Sequence, residues 1–586
     1  MNLCERNSYM RAIFIGATML CVFAVCAAAQ SAHEPLATKL PPDTIFYVQW
    51  RGMDLVRAAE KRNHVLQFLQ DPDVAPLWAS LAVNLQKHET RHGQPAATIS
   101  LPDIVSLMDN PAIFGLIPSA EPRETRAGES ASPLAKGRPQ HGGFLVYDAT
   151  GKHELIEKLR SQRQEQDNLT VQVTHFKFGG IEIEERTDAK SVSYTAFAGH
   201  YFLMSDRKQT IEELISRFGD NGESKTPVAR IPHYDEVHKF VGADDAVESF
   251  ARVPDLNEWQ SGDAKTQAAV NTAKNMHVDR IRAGGAGLSF HTDATEFRGE
   301  VLGDTSPGGL FDLIGESNVA FQTQPVLGMG MEFNVFRFNL AATYQLARGA
   351  IIANATQQQA AGLLVFEAMA PRFIGMPLPD ALALFTGEFA SVTSFANDGK
   401  PEQLYAISIQ RPEDVLKLLR TIAAPMILGA DSSNGVTYLD LAYPYKDPKS
   451  GAQLKKSYYL AVTPTLLLAT PSKGVLHQAV SNVSSNSTSA VVGIFAKPEF
   501  LQMRSLLPAQ ISGLGGADIA AFPWDKIASN AQDQIQQAAK RSPSAQPPDL
   551  TWLKVTQTGV ISRHLHMSVS GSWKDSNGVY FDSYVQ

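Results

Sequence analysis

The sequence predicts an α+β protein of two tandem, related domains, each a mainly antiparallel sheet with helices packed on one face. Three observations predict it. Apolar stretches with the two-residue alternation of half-buried strands recur along the chain, and two of them lead through a short turn into an amphipathic helix. Four blocks of the first half return, in the same order, in the second. At 586 residues the chain also exceeds what one hydrophobic core of ordinary size accommodates.

Leu101-Pro102-Asp103, opening LPDIVSLM, returns as Leu378-Pro379-Asp380, opening LPDALALF. GGFLVYDATGKHELIEKLR (142–160) has its counterpart in EQLYAISIQRPEDVLKLLR (402–420), and SYTAFAGHYFLMSDRKQTIEELI (193–215) in YYLAVTPTLLLATPSKGVLHQAV (458–480). TEFRGEVLG (295–303) pairs with RHLHMSVSG (563–571). The separations are 277, 260, 265 and 268 residues, so order is kept and the register drifts only through loops. The one large step falls on a Pro-, Gly- and charge-rich stretch, SAEPRETRAGESASPLAKGRPQHGG, which reads as a surface loop at 118–141. The expected domains are 36–305 and 316–586.

Each element has a local reason. TIFYVQW, GGFLVYD, YFLMS, LYAISIQ, SYYLAVTPTLLLAT and HLHMSVSGSW carry strand patterns. KHELIEKLRSQ and PEDVLKLLRTI place their apolar residues on one helical face, and Pro412 suits a first helical turn, where its missing N–H costs no bond. PLWASLAVNLQKHETRH reads as a helix with Trp78, Leu81, Leu85, His88 and His92 at steps of three and four; Gly93 and Pro95 end it. Asp148-Ala149-Thr150 and Asp575-Ser576-Asn577-Gly578 read as hairpin turns.

The N-terminus has the layout of a secretory signal peptide, residues 1–29. Arg6 and Arg11 precede an apolar run, Ala12 to Ala29, that ends in small residues; cleavage is expected after Ala29 or Ala32, and the rival reading is a retained anchor. Cys4, Cys21 and Cys26, the only cysteines, all fall in this segment, so a mature chain uses no disulfide and no thiolate ligand. No later run reaches the length of a membrane span. A net charge of -8 leaves no basic footprint for nucleic acid.

The apparent signal peptide, the opening LPPDTIFYVQW, the duplicated strand-helix blocks and the hairpin ends together resemble a bacterial family of exported proteins known only as a domain of unknown function. The resemblance implies an envelope or secreted setting and two related domains. It carries over no catalytic residue.

The sharpest chemical candidate is HETRH. Zinc hydrolases of the H-E-x-x-H type need two histidines one helical turn apart to hold zinc and a glutamate to activate water, and His88, His92 and Glu89 have that spacing. Against it stand Arg91 inside the motif, Lys87 beside it, the terminating Gly93, and apolar residues, Val365 and Met369, at the corresponding points of the second half. A third ligand would have to come from Glu154, Glu157, Glu212 or Glu213. His564 and His566 are two apart on an expected strand and so share a face. Ser205 to Lys208, SDRK, fits a serine-lysine pattern only literally, since the other half reads TPSK. The glycine groups RAGGAGLSF, GMGMEF and GLGGAD lack the lysine of a phosphate loop and read as turn or strand glycines. Asn168, Asn354 and Asn482 open glycosylation sequons, the last in SNVSSNSTSA, a polar loop by composition. Leu155, Leu159, Leu416 and Leu419 suit a core or, alternatively, an apolar groove for lipid.

The expected function is an exported, non-catalytic binding or scaffolding protein, with no cofactor, no bound metal, no nucleic acid, and an unknown envelope protein or ligand as partner. The alternatives are a zinc-dependent hydrolase using His88, Glu89 and His92, and a periplasmic lipid or lipoprotein carrier.

Overall fold

The computed structural model describes residues 36–586 except 81–100, 120–139, 167–171, 188–191, 220–230, 243, 254–263, 319, 355, 447–452, 486–492 and 542–550. The chain forms two compact units. The first runs to Gln267 and takes in Arg282–Leu302; the second comprises Ala268–Ile281 and Gly303–Gln586.

The first unit holds β1 (Phe46–Trp50), β2 (Ala112–Ser119), β3 (Gln140–Asp148), β4 (Gln172–Phe178), β5 (Ile181–Thr187), β6 (Val192–Ala198), β7 (Tyr201–Ser205), β8 (Val247–Arg252), β9 (Ile281–Phe290) and β10 (Thr295–Gly303), apart from the end residues Ile281 and Gly303. They are hydrogen-bonded in the order β4-β5-β6-β7-β3-β2-β1-β8-β9-β10. The second unit holds β11 (Glu332–Arg337), β12 (Phe385–Phe395), β13 (Pro401–Ile409), β14 (Ile427–Ser433), β15 (Val436–Lys446), β16 (Gln453–Val462), β17 (Leu466–Thr470), β18 (Gly513–Asp518), β19 (Met567–Lys574) and β20 (Gly578–Val585). Their order is β14-β15-β16-β17-β13-β12-β11-β18-β19-β20, the same order strand for strand. Neighbours are antiparallel wherever a strand register is defined.

β1 is buried on both faces: Tyr47, Val48, Gln49 and Trp50 are all buried, and the polar Gln49 accepts from the Ala37 N–H through Oε1. β20 alternates instead, burying Gly578, Tyr580, Asp582 and Tyr584. Helices cover the sheets through apolar stripes. In the first unit the helices used below are α1 (Leu101–Leu107), α2 (His153–Gln166), α3 (Lys208–Phe218) and α4 (Tyr234–Val241). The second unit adds α5 (Leu340–Asn354), α6 (Gln357–Ile374), α7 (Leu378–Leu382), α8 (Pro412–Ile422), α9 (Lys473–Ser484) and α10 (Val560–His564). α3 buries Thr210, Ile211, Leu214, Ile215 and Phe218, spaced for one face of a 3.6-residue helix. α8 begins at Pro412 and packs Val415, Leu416 and Leu418 against Leu439, Leu460 and Leu467. The smaller core around Trp50 gathers Met53, Val56, Ala59 and Leu66.

Three of the repeated blocks occupy like places. The LPD segments open α1 and α7, each just ahead of its unit's second strand; the next two fall on β3 with α2 against β13 with α8, and on β6, β7 and α3 against β16, β17 and α9. The fourth does not. TEFRGEVLG fills β10, the tenth strand, whereas 563–571 spans the end of α10 and the start of β19, the ninth. Adjacent hairpin strands share the same period of two, so alternation alone cannot tell one from its neighbour.

Other local readings also shift. Strands β2 and β3 pair as far as Pro118↔His141 and Ser119↔Gln140, so the ends expected to be loop at 118–141 are ladder. Asp575–Gly578 does turn β19 into β20, with Asp575 Oδ1 accepting from the N–H groups of Asn577 and Gly578. Asp148-Ala149-Thr150 joins a strand to a helix instead: Asp148 Oδ1 accepts from the Thr150 N–H, which bends the chain toward α2. SNVSSNSTSA begins as the last turn of α9, which carries Asn482 and ends at Ser484.

Candidate functional site

The densest cluster of buried titratable groups among the described residues lies in the first unit, where α4 crosses β1 and β8. Antiparallel pairing sets Gln49 opposite Glu248 and Tyr47 opposite Phe250. Glu248 is fully buried on β8, so its charge has to be met inside the protein. Arg51, just beyond β1, brings NH2 to 2.5 Å from its Oε2, and the Tyr47 hydroxyl donates to Oε1 at 2.6 Å. α4 presents Tyr234 and His238 one turn apart, stacked at 5.0 Å, and His238 Nδ1 lies 3.3 Å from Oε1. Tyr47 stacks on Phe250 at 5.5 Å. Burial alone pushes the Glu248 carboxyl up, yet His238, Arg51 and Tyr47 together hold it below the usual carboxylate range. Burial likewise raises the Tyr47 and Tyr234 phenols, so both stay neutral.

A second carboxylate, Asp245, sits three residues upstream, also fully buried. Ser289 on β9 donates a short hydrogen bond to its Oδ1, and Arg298 on β10 reaches the same oxygen at 3.4 Å. Arg298 also meets Glu296 at 3.0 Å, and Glu296 in turn holds His291 Nε2 at 2.6 Å. Burial, reinforced by the nearby Glu248 charge, pushes Asp245 up to about 6 against the pull of Ser289 and Arg298. The hydrogen bond to Glu296 raises the imidazole of His291. The cluster therefore holds one carboxylate kept ionised by its partners and, coupled to it through charge, one that takes up a proton near pH 6.

Gly287 on β9 makes the room. A Cβ there would stand 2.0 Å from Asp245 Oδ2 and 2.8 Å from Val241 Cγ1. Gly287→Ala is expected to displace the carboxylate from Ser289 and destabilise the unit by about 1–3 kcal/mol, read as a lowered Tm. An unchanged Tm would show that the space is available after all.

The second unit has a parallel feature differently completed. Arg337 ends β11 as Arg51 follows β1, and both backbone N–H groups continue the ladder on the same side, to Ser512 at 2.8 Å and Ala246 at 3.0 Å. Arg337 pairs with buried Glu388 at 3.3 Å, but Glu388 lies on β12, the strand flanking the other side. The Thr323 N–H and hydroxyl complete that carboxylate's shell at 2.7 and 2.8 Å.

The residues singled out in the sequence are not brought into this cluster. His88, Glu89 and His92 lie outside the described residues. Glu157, Glu212 and Glu213 are each met by a cation of their own helix, Arg160 at 2.6 Å, Lys208 at 4.0 Å and Arg217 at 3.4 Å, and Glu154 is exposed. Among the described residues no group of three or more His, Cys, Asp or Glu side chains is placed to hold a metal ion. His564 closes α10 and His566 precedes β19, so they do not share a strand face. Ser205 is buried at the end of β7; its hydroxyl donates to Gly143 O and accepts from the Arg207 N–H, while Lys208 lies over the Phe176 ring at 4.4 Å. Thr470 and Lys473 repeat that arrangement, the hydroxyl accepting from Ser472 N–H and the ammonium over Tyr459 at 5.0 Å. RAGGAGLSF and GLGGAD form the strands β9 and β18. Leu416 belongs to the core and Leu419 packs against it, while Leu155 and Leu159 are half-buried.

Sequence reasoning missed Arg51, Glu248, Asp245 and α4. The available signals were an arginine directly after an apolar strand in both halves, FYVQWR and FNVFR, and a glutamate inside the apolar AVESFA. Comparison with family models, curated proteins and solved structures finds no match to this chain. No helix among the described residues is long and apolar enough to cross a membrane.

Proposed function

We propose that this chain is an exported, non-catalytic binding or scaffolding protein of the cell envelope, made of two duplicated domains with helices on one face of each sheet. The signal-like N-terminus supports export, and the shared strand order together with three like-placed blocks supports duplication. One observation carries the binding role. The helices α5 and α6, of 15 and 18 residues, are rich in apolar side chains, yet Ala370 is their only buried one among those described. Large exposed apolar surfaces of this kind mark contact sites.

The test is fractionation of the native cell combined with metal analysis of the purified protein. Recovery from the periplasm or medium, without equimolar zinc, is expected. Recovery from cytoplasm alone would overturn the location, and equimolar zinc lost on His88→Ala would replace the binding role with a zinc hydrolase.

A further inference from the structure

The α5–α6 hairpin is built inside out. Along α6 the less exposed positions Ala360, Leu363, Glu367, Ala370 and Ile374 are spaced for one face, the one turned to the rest of the unit, while Met369, also half-buried, lies off that face. That inner side carries the hairpin's one acidic group: Glu367 accepts from Arg348 Nε at 2.8 Å and from the Tyr344 hydroxyl, both on α5. The outer side, where a surface helix normally puts its polar residues, holds Ala361, Gly362, Leu364, Val365, Phe366 and Phe373. Leu364, Val365, Phe366 and Phe373 are 48%, 56%, 54% and 59% exposed, and Ile351 and Ile352 extend the surface along α5. Gly362 adds a mid-helix glycine whose Cβ position meets nothing within 4 Å among the described residues, so no contact with them accounts for its cost in helix propensity.

We infer that this outer face is where a second copy of the chain docks, its own α5–α6 hairpin closing a four-helix contact around a two-fold axis. The inference rests on the binding role proposed above and names the partner. Charge decides against the other coverings. Arg372 is the only charged residue on the outer side of α6, which suits neither a nucleic acid nor a charged peptide, and a chain of net charge -8 is repelled by anionic lipid. Shape points the same way. Leu364, Val365 and Phe366 are consecutive and fan over about 200° of the helix circumference, more than one flat surface covers. Two helices of a partner hairpin, straddling α6, cover that arc. The six large side chains expose on the order of 500 Å², and the adjoining alanines and glutamines bring the face toward the ~800 Å² per partner of a standard interface. A two-fold contact needs only that this one face match itself.

The test is sedimentation equilibrium on the protein as its host processes it, beside two variants. The wild type is expected to be a dimer. Leu364→Glu combined with Phe366→Glu is expected to weaken association by about 100-fold, giving a monomer with unchanged circular dichroism and Tm. Leu501→Glu, an equally exposed apolar position on another helix, is expected to remain dimeric. A wild-type monomer would overturn the inference, and so would a dimer untouched by the double variant. Flotation of a monomeric wild type with phosphatidylcholine–phosphatidylglycerol vesicles would overturn it in favour of a lipid surface. A monomer recovered from the envelope removes only the second copy; a dimer through this face recovered from cytoplasm alone removes only the exported role.

Discussion

Replacing Glu248 by alanine is expected to destabilise the first unit by about 3–5 kcal/mol, the cost of leaving a buried cation without its counter-charge. Arg51, whose side chain is only 10% exposed, loses its carboxylate at 2.5 Å, and the Tyr47 hydroxyl loses its acceptor. Glu248→Gln keeps an acceptor for Tyr47 and is expected to cost less. Urea denaturation gives the magnitude, and faster hydrogen exchange at β1 and β8 locates the effect. A loss below about 1 kcal/mol would mean that water or another side chain reaches Arg51, and Glu248 would not be its necessary counter-charge.

Asp245→Asn is expected to act in the opposite direction above neutral pH. The folded carboxyl titrates at about 6 against an ordinary value of 3.8, so the folded state holds a proton that the unfolded chain has released. Its contribution is fully present below 3.8 and is lost as pH rises through 6, a difference of about 3 kcal/mol. His291, also raised, loses its contribution in the same direction. Glu248, held below its ordinary 4.5, contributes above that value and is lost as pH falls. The two opposing slopes cancel between the ordinary values of 3.8 and 4.5, so the first unit should be most stable near pH 4 and lose stability from there to about pH 6. Asparagine keeps the Ser289 hydrogen bond without the buried charge. The variant should gain about 1–3 kcal/mol at pH 8, less whatever Arg298 loses, and should flatten the fall in stability between pH 4 and 6. Denaturation curves at those two pH values decide it; an unaltered slope would show that Asp245 does not hold the proton.

Much of the architecture is legible before any coordinates. FYVQW, GGFLVYD, LYAISI and LLLAT are strands because unbroken or alternating apolar residues fit a pleated, buried surface. PEDVLKLLRTI is a helix from Pro412 because its apolar residues fall on one stripe. The buried network was less legible. Glu248, Asp245 and Arg298 are distant from Arg51 in sequence, and no local pattern distinguishes a glutamate that will be paired across a sheet from one that will face water. Sequence period also could not separate β10's counterpart from the strand beside it, nor a helix-leading turn at Asp148 from a hairpin.

By itself the sequence determined the alternation of strands and helices and the confinement of cysteine to the first 26 residues. These are properties of neighbouring residues and of composition, which a linear string carries in full. Only the tertiary structure decided that Arg51 is met by Glu248 on one flanking strand while Arg337, at the like place, is met by Glu388 on the other. It alone decided, too, that α6 turns Glu367 inward and Leu364, Val365 and Phe366 outward. Helical periodicity groups residues onto faces, but the direction in which a face points depends on what the rest of the chain packs against it.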